Sequence, residues 1–441
     1  MQATHTINST SLPEGKLDVL VIGGGIIGLA TACDIKRVNP SLRVLLIDKA
    51  PAAGQGDTAK SAAGLRNIFS SEISRALSES TIDFYEEVQE KHGVDLGLRF
   101  VGYLWLMSKK QFEHFESLEI SKEVGTKFKI MSTEEVKEKI PGFTPSAEAS
   151  DDEAQLMSLE DVDACVLGIR CGVIATERIV RFYKEEFLRL GGEVLYSLPV
   201  EKILVEPKSR LGIDGESFEW QQKIITGVKT SRGEIRARKI VIAPGAWGRE
   251  LLDPIGVDCH MNPIRKMIFV IRGQKVESLL HTPGFNEYGL LPFTVLPKGG
   301  IYVRPVPGEE AFYTAMTEGL GSPYATSENP PVDERFYTYN LNPILSRYFP
   351  MLRAIRPSSM WAGRQDKSAT DKNPYIFERA NAVIALGTSG NGIMKADAIG
   401  RIAGALVRGE EVAELYGGRK FDVSKVGVSK RVIEPELFEL A

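Results

Sequence analysis

The chain has 441 residues, too many for one small domain and too few for three full ones, so two domains sharing interleaved segments are expected. At 43% hydrophobic and 25% charged it is neither disordered, collagen-like nor a coiled coil. Lysine plus arginine number 54 against 58 acids, a net charge of -4, so no basic excess draws it to nucleic acid; the residue out of proportion is glycine, at 42.

Met1 to Leu12 is polar, lacks the parts of a secretory signal and reads as a loose tail. Val19 to Ala30 is apolar but broken by glycines, so no transmembrane segment is expected. A cytoplasmic enzyme is the expectation, with peripheral contact at the inner face of the membrane left open. Cys33, Cys165, Cys171 and Cys259 form no C-x-x-C pair and have no histidine at zinc spacing. Buried, reduced thiols and no metal site are expected.

Leu17 to Ile22 is a β-branched apolar run suited to a parallel strand buried on both faces. Gly23, Gly25 and Gly28 follow as G-x-G-x-x-G, then a helix opening on Ile26-Ile27, then a second strand, Val44 to Ile47, ending at Asp48-Lys49. The spacing has a mechanical reading. Gly23 permits the turn, Gly25 lets backbone N–H groups approach a pyrophosphate, Gly28 lets helix and strand pack closely, and Asp48 takes ribose hydroxyls. An acid at Asp48 favours FAD or NAD over NADP.

The next segment, Gly54 to Gly64, is a loop of small residues. It resembles the stretch under the flavin in the D-amino acid oxidase-like flavoproteins, which include glycine and sarcosine oxidases. The resemblance implies cofactor contacts from Lys49, Gly56, Thr58, Ser61, Ala63 and Gly64.

Downstream, Ser74 to Lys91 reads as a helix, Arg99 to Met107 as an alternating strand, and Ser132 to Glu135 as a capping box that starts a short helix. Asp151 to Glu153 reads as a solvated loop. Thr176 to Leu190 is an amphipathic helix stopped by Gly191-Gly192, and Val194 to Val200 a strand. The resemblance gives Val200 a backbone contact with adenine. A meander, Lys223 to Thr230 and Glu234 to Arg238, leads to a buried strand, Lys239 to Ala243, and then Gly245-Ala246-Trp247. That end resembles the family's second turn on the pyrophosphate side, making Ala243, Gly245 and Trp247 candidates. Met267 to Ile271, Thr294 to Leu296, Ile301 to Arg304 and Ala311 to Ala315 read as strands that would roof the flavin.

The most diagnostic run comes late: Trp361-Ala362-Gly363-Arg364, read as a turn, then Asn381 to Leu386, then Gly387 to Lys395 and a helix from Ala396 to Val407. Strand, glycine turn and helix recur. The free N–H groups of that helix would meet negative charge at the edge of a reduced ring, so Gly390, Asn391, Gly392, Ile393 and Met394 join the candidate FAD contacts, and the resemblance adds Gly363.

The implied fold is α/β: a Rossmann-like FAD-binding domain of the glutathione-reductase type with an inserted antiparallel-sheet substrate domain. Residues 1–95, 166–250 and 351–441 would form the first, and 96–165 and 251–350 the second. FAD would be non-covalent, since no cysteine follows Cys259.

The family removes hydride from a carbon bearing nitrogen beside a carboxylate. An arginine is the expected carboxylate anchor. Arg364 stands near the glycine oxidase position, shifted by one residue; Arg66, Tyr302 and Arg304 are further pocket candidates. No lysine occurs on Ala311 to Ala315, where sarcosine oxidases place one over the flavin, which argues for a quinone or dye acceptor over dioxygen. The whole-chain pattern is similar to the archaeal dye-linked L-proline dehydrogenases. The expectation is therefore hydride transfer from the α C–H of L-proline, giving 1-pyrroline-5-carboxylate. Two rivals stand beside it: oxidation of sarcosine, glycine, a D-amino acid or a 2-hydroxy acid, and a flavin-binding assembly or electron-transfer subunit without a substrate site. A small amino acid and an electron acceptor are the partners expected, and a homo-oligomer is compatible with the chain. The end of the chain, Val432 to Leu440, is apolar enough to dock on an active-site rim or a neighbouring subunit.

Overall fold

A computed structural model describes residues 12, 15–146, 152–316 and 324–438. The first eleven residues, Asp151 and the last three residues lie outside it. Two eight-stranded sheets organise the chain. In the first, strands Ala382–Leu386, Gly233–Ile242, Leu17–Ile22, Val44–Ile47 and Glu193–Leu195 run parallel in that order, with Tyr375–Arg379 antiparallel at one edge. Their near-continuous Val, Ile and Leu content follows from burial on both faces. Helices Ile26–Val38, Glu72–Glu90, Thr176–Arg189 and Gly392–Arg408 contribute the covering of one face. The first and last of these approach closely: a Cβ added at Gly400 would lie 2.7 Å from the Ala30 carbonyl carbon.

The second sheet orders Pro357–Ser368, Met261–Arg272, Ala311–Ala315, Tyr302–Val306, Phe293–Val295, Tyr103–Met107, Ala164–Gly168 and Phe128–Met131, antiparallel except where Phe293–Val295 meets Tyr103–Met107. Strand 357–368 thus pairs in this sheet, although the sequence placed its residues with the FAD unit.

Several local readings change. Trp361-Ala362-Gly363 is not a turn but the middle of a twelve-residue strand, held by eleven register partners on Met261–Arg272. The meander arm and the buried strand before Ala243 are one element, Gly233–Ile242, whose first half pairs antiparallel in the meander and whose second half is parallel in the main sheet. Val194 to Val200 divides into Glu193–Leu195 and the start of Val200–Pro207. Tyr103–Met107 is buried throughout, so it does not alternate. Asp152–Leu156 is a short helix, the acids of its first turn matching the helix dipole. Val432 onward forms no helical turn as far as residue 438.

Candidate active site

Between the carboxyl ends of the parallel strands and one face of the second sheet lies a cavity of about 780 Å³. That is where ligands sit in open α/β sheets. Its floor is backbone. Gly23, in the left-handed region at φ 106°, would with a Cβ strike the Ala243 carbonyl oxygen at 2.3 Å. The helix beginning at Ile26 has Gly25 as its N-cap and no side-chain cap, and the helix beginning at Gly392 is likewise uncapped by Asn391. Both ends line the cavity. Apart from the Ile26 N–H, which donates to Thr58, the N–H groups there suit an anionic ligand. By contrast, the helices starting at Glu72, Lys109 and Thr133 are capped by Ser71, Ser108 and Ser132.

All the sequence-derived cofactor candidates line this one cavity except Gly28. Gly28 sits behind the wall: a Cβ there would lie 1.9 Å from the Gly23 carbonyl oxygen, so its part is close packing. Asp48 accepts from the Gly24 N–H at 2.5 Å and the Ala50 N–H at 2.6 Å. Thr58 Oγ1 accepts from the Ile26 N–H at 3.2 Å, tying the small-residue loop to the first helix. Lys49 pairs with Glu328 and lies 4.0 Å from the Trp247 ring centroid, while Trp247 Nε1 donates to Glu328 at 2.6 Å. A loop beyond the second sheet thereby meets the floor.

The roof is made of side chains. Tyr103 stacks on Phe293 with ring centroids 4.1 Å apart, and Phe293 meets Tyr302 at 4.8 Å. Burial pushes the Tyr103 and Tyr302 hydroxyls well above their ordinary values, so both keep their protons. Lys266, Ile268, Ala315 and Met316 complete this wall. Ala311–Ala315 carries no lysine, and Lys266 lines the cavity from the neighbouring strand.

The two arginines differ. Arg364 is 2% exposed and already engaged, its Nη2 donating to Glu250 at 2.6 Å and to the Ala246 carbonyl at 3.0 Å, with Trp247 5.0 Å below. Its strand location turns it toward the Gly245–Leu252 segment, which takes up part of a guanidinium that also lines the cavity and whose buried Nε has no partner among the described residues. Arg66 is half-buried, donates to the Ile68 carbonyl at 3.1 Å and lies 4.2 Å from the Phe69 ring centroid; no carboxylate pairs with it among the described residues. Arg304 is buried behind the wall, bonded to the Ile174 carbonyl.

Sequence reasoning missed Lys266, Tyr103, Phe293 and a carboxyl pair. Asp57 accepts from the Arg364 N–H at 2.7 Å, and its other oxygen is buried without a partner. Burial, then the neighbouring Asp366 charge, pushes it up to about 7. Gln365, also on the cavity wall, has a buried unpartnered oxygen. Among the described residues no group of His, Cys, Asp and Glu has metal-site geometry, all four cysteines are free and buried, and no helix is long and apolar enough to cross a membrane.

A long cavity with a glycine floor, two uncapped helix ends and an acid at the end of the second strand fits a dinucleotide with a flat ring. The sequence pattern described as FAD dependent oxidoreductase matches residues 18–406. A glycine oxidase from Pseudomonas aeruginosa is 26% identical over 404 residues, covering 89% of this chain and 95% of that protein. A monomeric sarcosine oxidase from Bacillus sp. (strain B-0618) is 22% identical, covering 95% and 97%. Among solved structures, L-proline dehydrogenase from P. horikoshii superposes with a TM-score of 0.71 at 22% identity, covering 90% and 95%, a likeness of fold. With nearly nine-tenths of its length matched, the chain belongs to the FAD dependent oxidoreductase family and is an FAD flavoprotein.

Proposed function

We propose that this protein is an amino-acid dehydrogenase that oxidises L-proline to 1-pyrroline-5-carboxylate and passes the electrons to a quinone or dye. The observation that carries the reading is the pairing of Arg66, a guanidinium without a carboxylate partner among the described residues, with the apolar and aromatic wall of Tyr103, Phe293, Tyr302 and Ile268. A small acid with an apolar ring suits such a site. The names of similar proteins, a glycine oxidase, a sarcosine oxidase and an L-proline dehydrogenase, support a small amino acid as substrate.

FAD supplies the hydride acceptor when bound. The residues that would hold it are the backbone of Gly23, Gly25 and Ile26 at the pyrophosphate, Asp48 at the ribose, and Gly390 to Met394 at the ring edge. Arg66 would grip the carboxylate, and the aromatic wall would exclude water from the ring.

The product fixes which hydride leaves. In 1-pyrroline-5-carboxylate the C=N bond lies on the ring carbon away from the carboxylate. The hydride must therefore come from C5 of proline, which replaces the α C–H expected from the family pattern. The amine lone pair closes the C=N bond, so nitrogen must be deprotonated before hydride departs.

Anaerobic mixing tests this. L-proline should bleach the flavin, with a primary isotope effect from deuterium at C5 and none from deuterium at C2. An isotope effect at C2 would sink the regiochemistry, and bleaching by sarcosine, D-proline or 2-hydroxyglutarate but not L-proline would sink the substrate. Because Lys266 lines the cavity, acceptor choice needs its own readout: dye reduction should outpace oxygen uptake, and the reverse would make the protein an oxidase.

A further inference from the structure

The last described stretch of the chain, Arg431 to Phe438, passes over Ser70 and Ser71, a few residues beyond Arg66. Arg431, 3% exposed in its side chain, pairs with the fully buried Asp371, donates to the Pro374 carbonyl at 3.0 Å and stacks 3.9 Å over Tyr375. Glu434 accepts from the Ser71 hydroxyl at 2.9 Å and from the Glu72 N–H at 3.1 Å, at the start of helix Glu72–Glu90. Glu436 accepts from the Ser70 N–H at 2.8 Å, the Ser70 hydroxyl at 3.0 Å and the Ser71 N–H at 3.2 Å. Phe438, 2% exposed, then enters the core of the second sheet against Trp105 and Phe115. The strap is pinned in both units, and its carboxylates capture the chain between Arg66 and the helix.

What lies under it is a platform. The Phe69 ring carries the Arg66 guanidinium at 4.2 Å and the Lys395 ammonium at 4.7 Å, and Lys395 belongs to the first turn of the helix that ends at the cavity. A half-buried arginine with four rotatable bonds is positioned by what it rests on. Phe69 is held in turn by the backbone on its C-terminal side, where Glu436 supplies three of the hydrogen bonds and Arg75 two more, to the Phe69 and Ser70 carbonyls at 3.1 and 3.2 Å.

We propose that Glu436 is a positioning residue for the substrate carboxylate: by fixing Ser70 and Ser71 it sets the Phe69 ring, and through that ring the Arg66 guanidinium. The inference rests on Arg66 being the anchor, as read above. Charge-assisted bonds from two backbone N–H groups make the clamp stiff, and a displacement of about 1 Å in a positioning group can cost on the order of 100-fold.

The test is steady-state kinetics of the full-length holoenzyme together with binding of pyrrole-2-carboxylate, read as a shift of the flavin spectrum. Glu436→Gln should raise KM for L-proline by roughly 10- to 100-fold, keep FAD bound and change kcat far less, and should weaken pyrrole-2-carboxylate binding in parallel. Glu436→Asp, which keeps the charge, should recover most of the loss; it also serves as the readable variant should the Gln form fold poorly. In an Arg66→Ala background the Glu436→Gln effect should vanish, since the coupling runs through Arg66. An unchanged or lowered KM and Kd in Glu436→Gln overturns the proposal, as does a full effect retained without Arg66. If L-proline fails to bleach the wild-type flavin, the substrate reading alone falls, and the pyrrole-2-carboxylate titration still decides the role of Glu436.

Discussion

On the floor of the cavity the protein presents backbone; on the roof it presents side chains. The floor comes from glycine-bearing segments around residues 23–28, 54–64, 243–247 and 387–394, two of which start helices that have no N-cap side chain. The roof draws Arg66 from a loop and Tyr103, Lys266, Phe293 and Tyr302 from four strands, up to 236 residues apart, the strand residues arranged by order and register. A floor of this kind grips any FAD in the same way. The roof is what can differ between one substrate and another.

The sharpest way to break the contrast is to give the floor a side chain. Gly28→Val places carbon where the Gly23 carbonyl oxygen would lie 1.9 Å away, with only backbone to yield. The first helix must shift, and the purified protein should be colourless, with no 450 nm flavin band; a yellow variant with full FAD content would show that the glycine spacing is not a packing requirement. Next in size is Arg66→Ala on the roof. Loss of charge-assisted bonds to a carboxylate is worth about 1.5–3 kcal/mol, so KM for the substrate should rise roughly 10- to 150-fold with FAD retained. Arg364→Ala is its control. That side chain bonds Glu250 and the Ala246 carbonyl, so its removal should lower Tm and loosen FAD while leaving KM nearly unchanged. If the KM effects of the two variants are exchanged, the anchor is Arg364 and the roof has been read in the wrong register.

The same contrast explains what the sequence could disclose. Floor residues announce themselves because the requirement is local: Gly23, Gly25 and Gly28 between two β-branched runs, or Gly387 to Gly392 before a helix. Roof residues do not. Nothing near Lys266 in the chain says that it faces the cavity; that follows from its partner being Gly363 and from the face shared with Ile268. Trp361-Ala362-Gly363 looked like a turn because small residues and glycine favour one, but eleven ladder partners on an adjacent strand outweigh that preference. The partners of Arg364 are hidden from the sequence for the same reason: Glu250, which its guanidinium bonds, lies more than a hundred residues away.

Lys395 is where floor and roof meet, a side chain carried by the floor's own helix. Its amine is fully buried, donates to the Ser74 hydroxyl at 2.8 Å, and has no carboxylate in ion-pair reach among the described residues. Burial lowers it from 10.5 to about 7, against a partial upward pull from Glu436 and Asp371 and a further downward one from Arg66. The sign follows from that lowering. The unfolded chain binds the proton up to pH 10.5 and the folded one only up to about 7, so the contribution to stability is intact above the unfolded value and is lost as pH falls through the folded one. Lys395→Met removes the titration and keeps the volume. Its Tm advantage over the wild type should therefore be larger at pH 6 than at pH 9, by at least ~2 °C. Asp57, displaced toward neutrality in both proteins, cancels in the difference. Equal gains at the two pH values would mean that the ammonium is compensated in the fold, and that this turn of the helix belongs electrostatically to the roof.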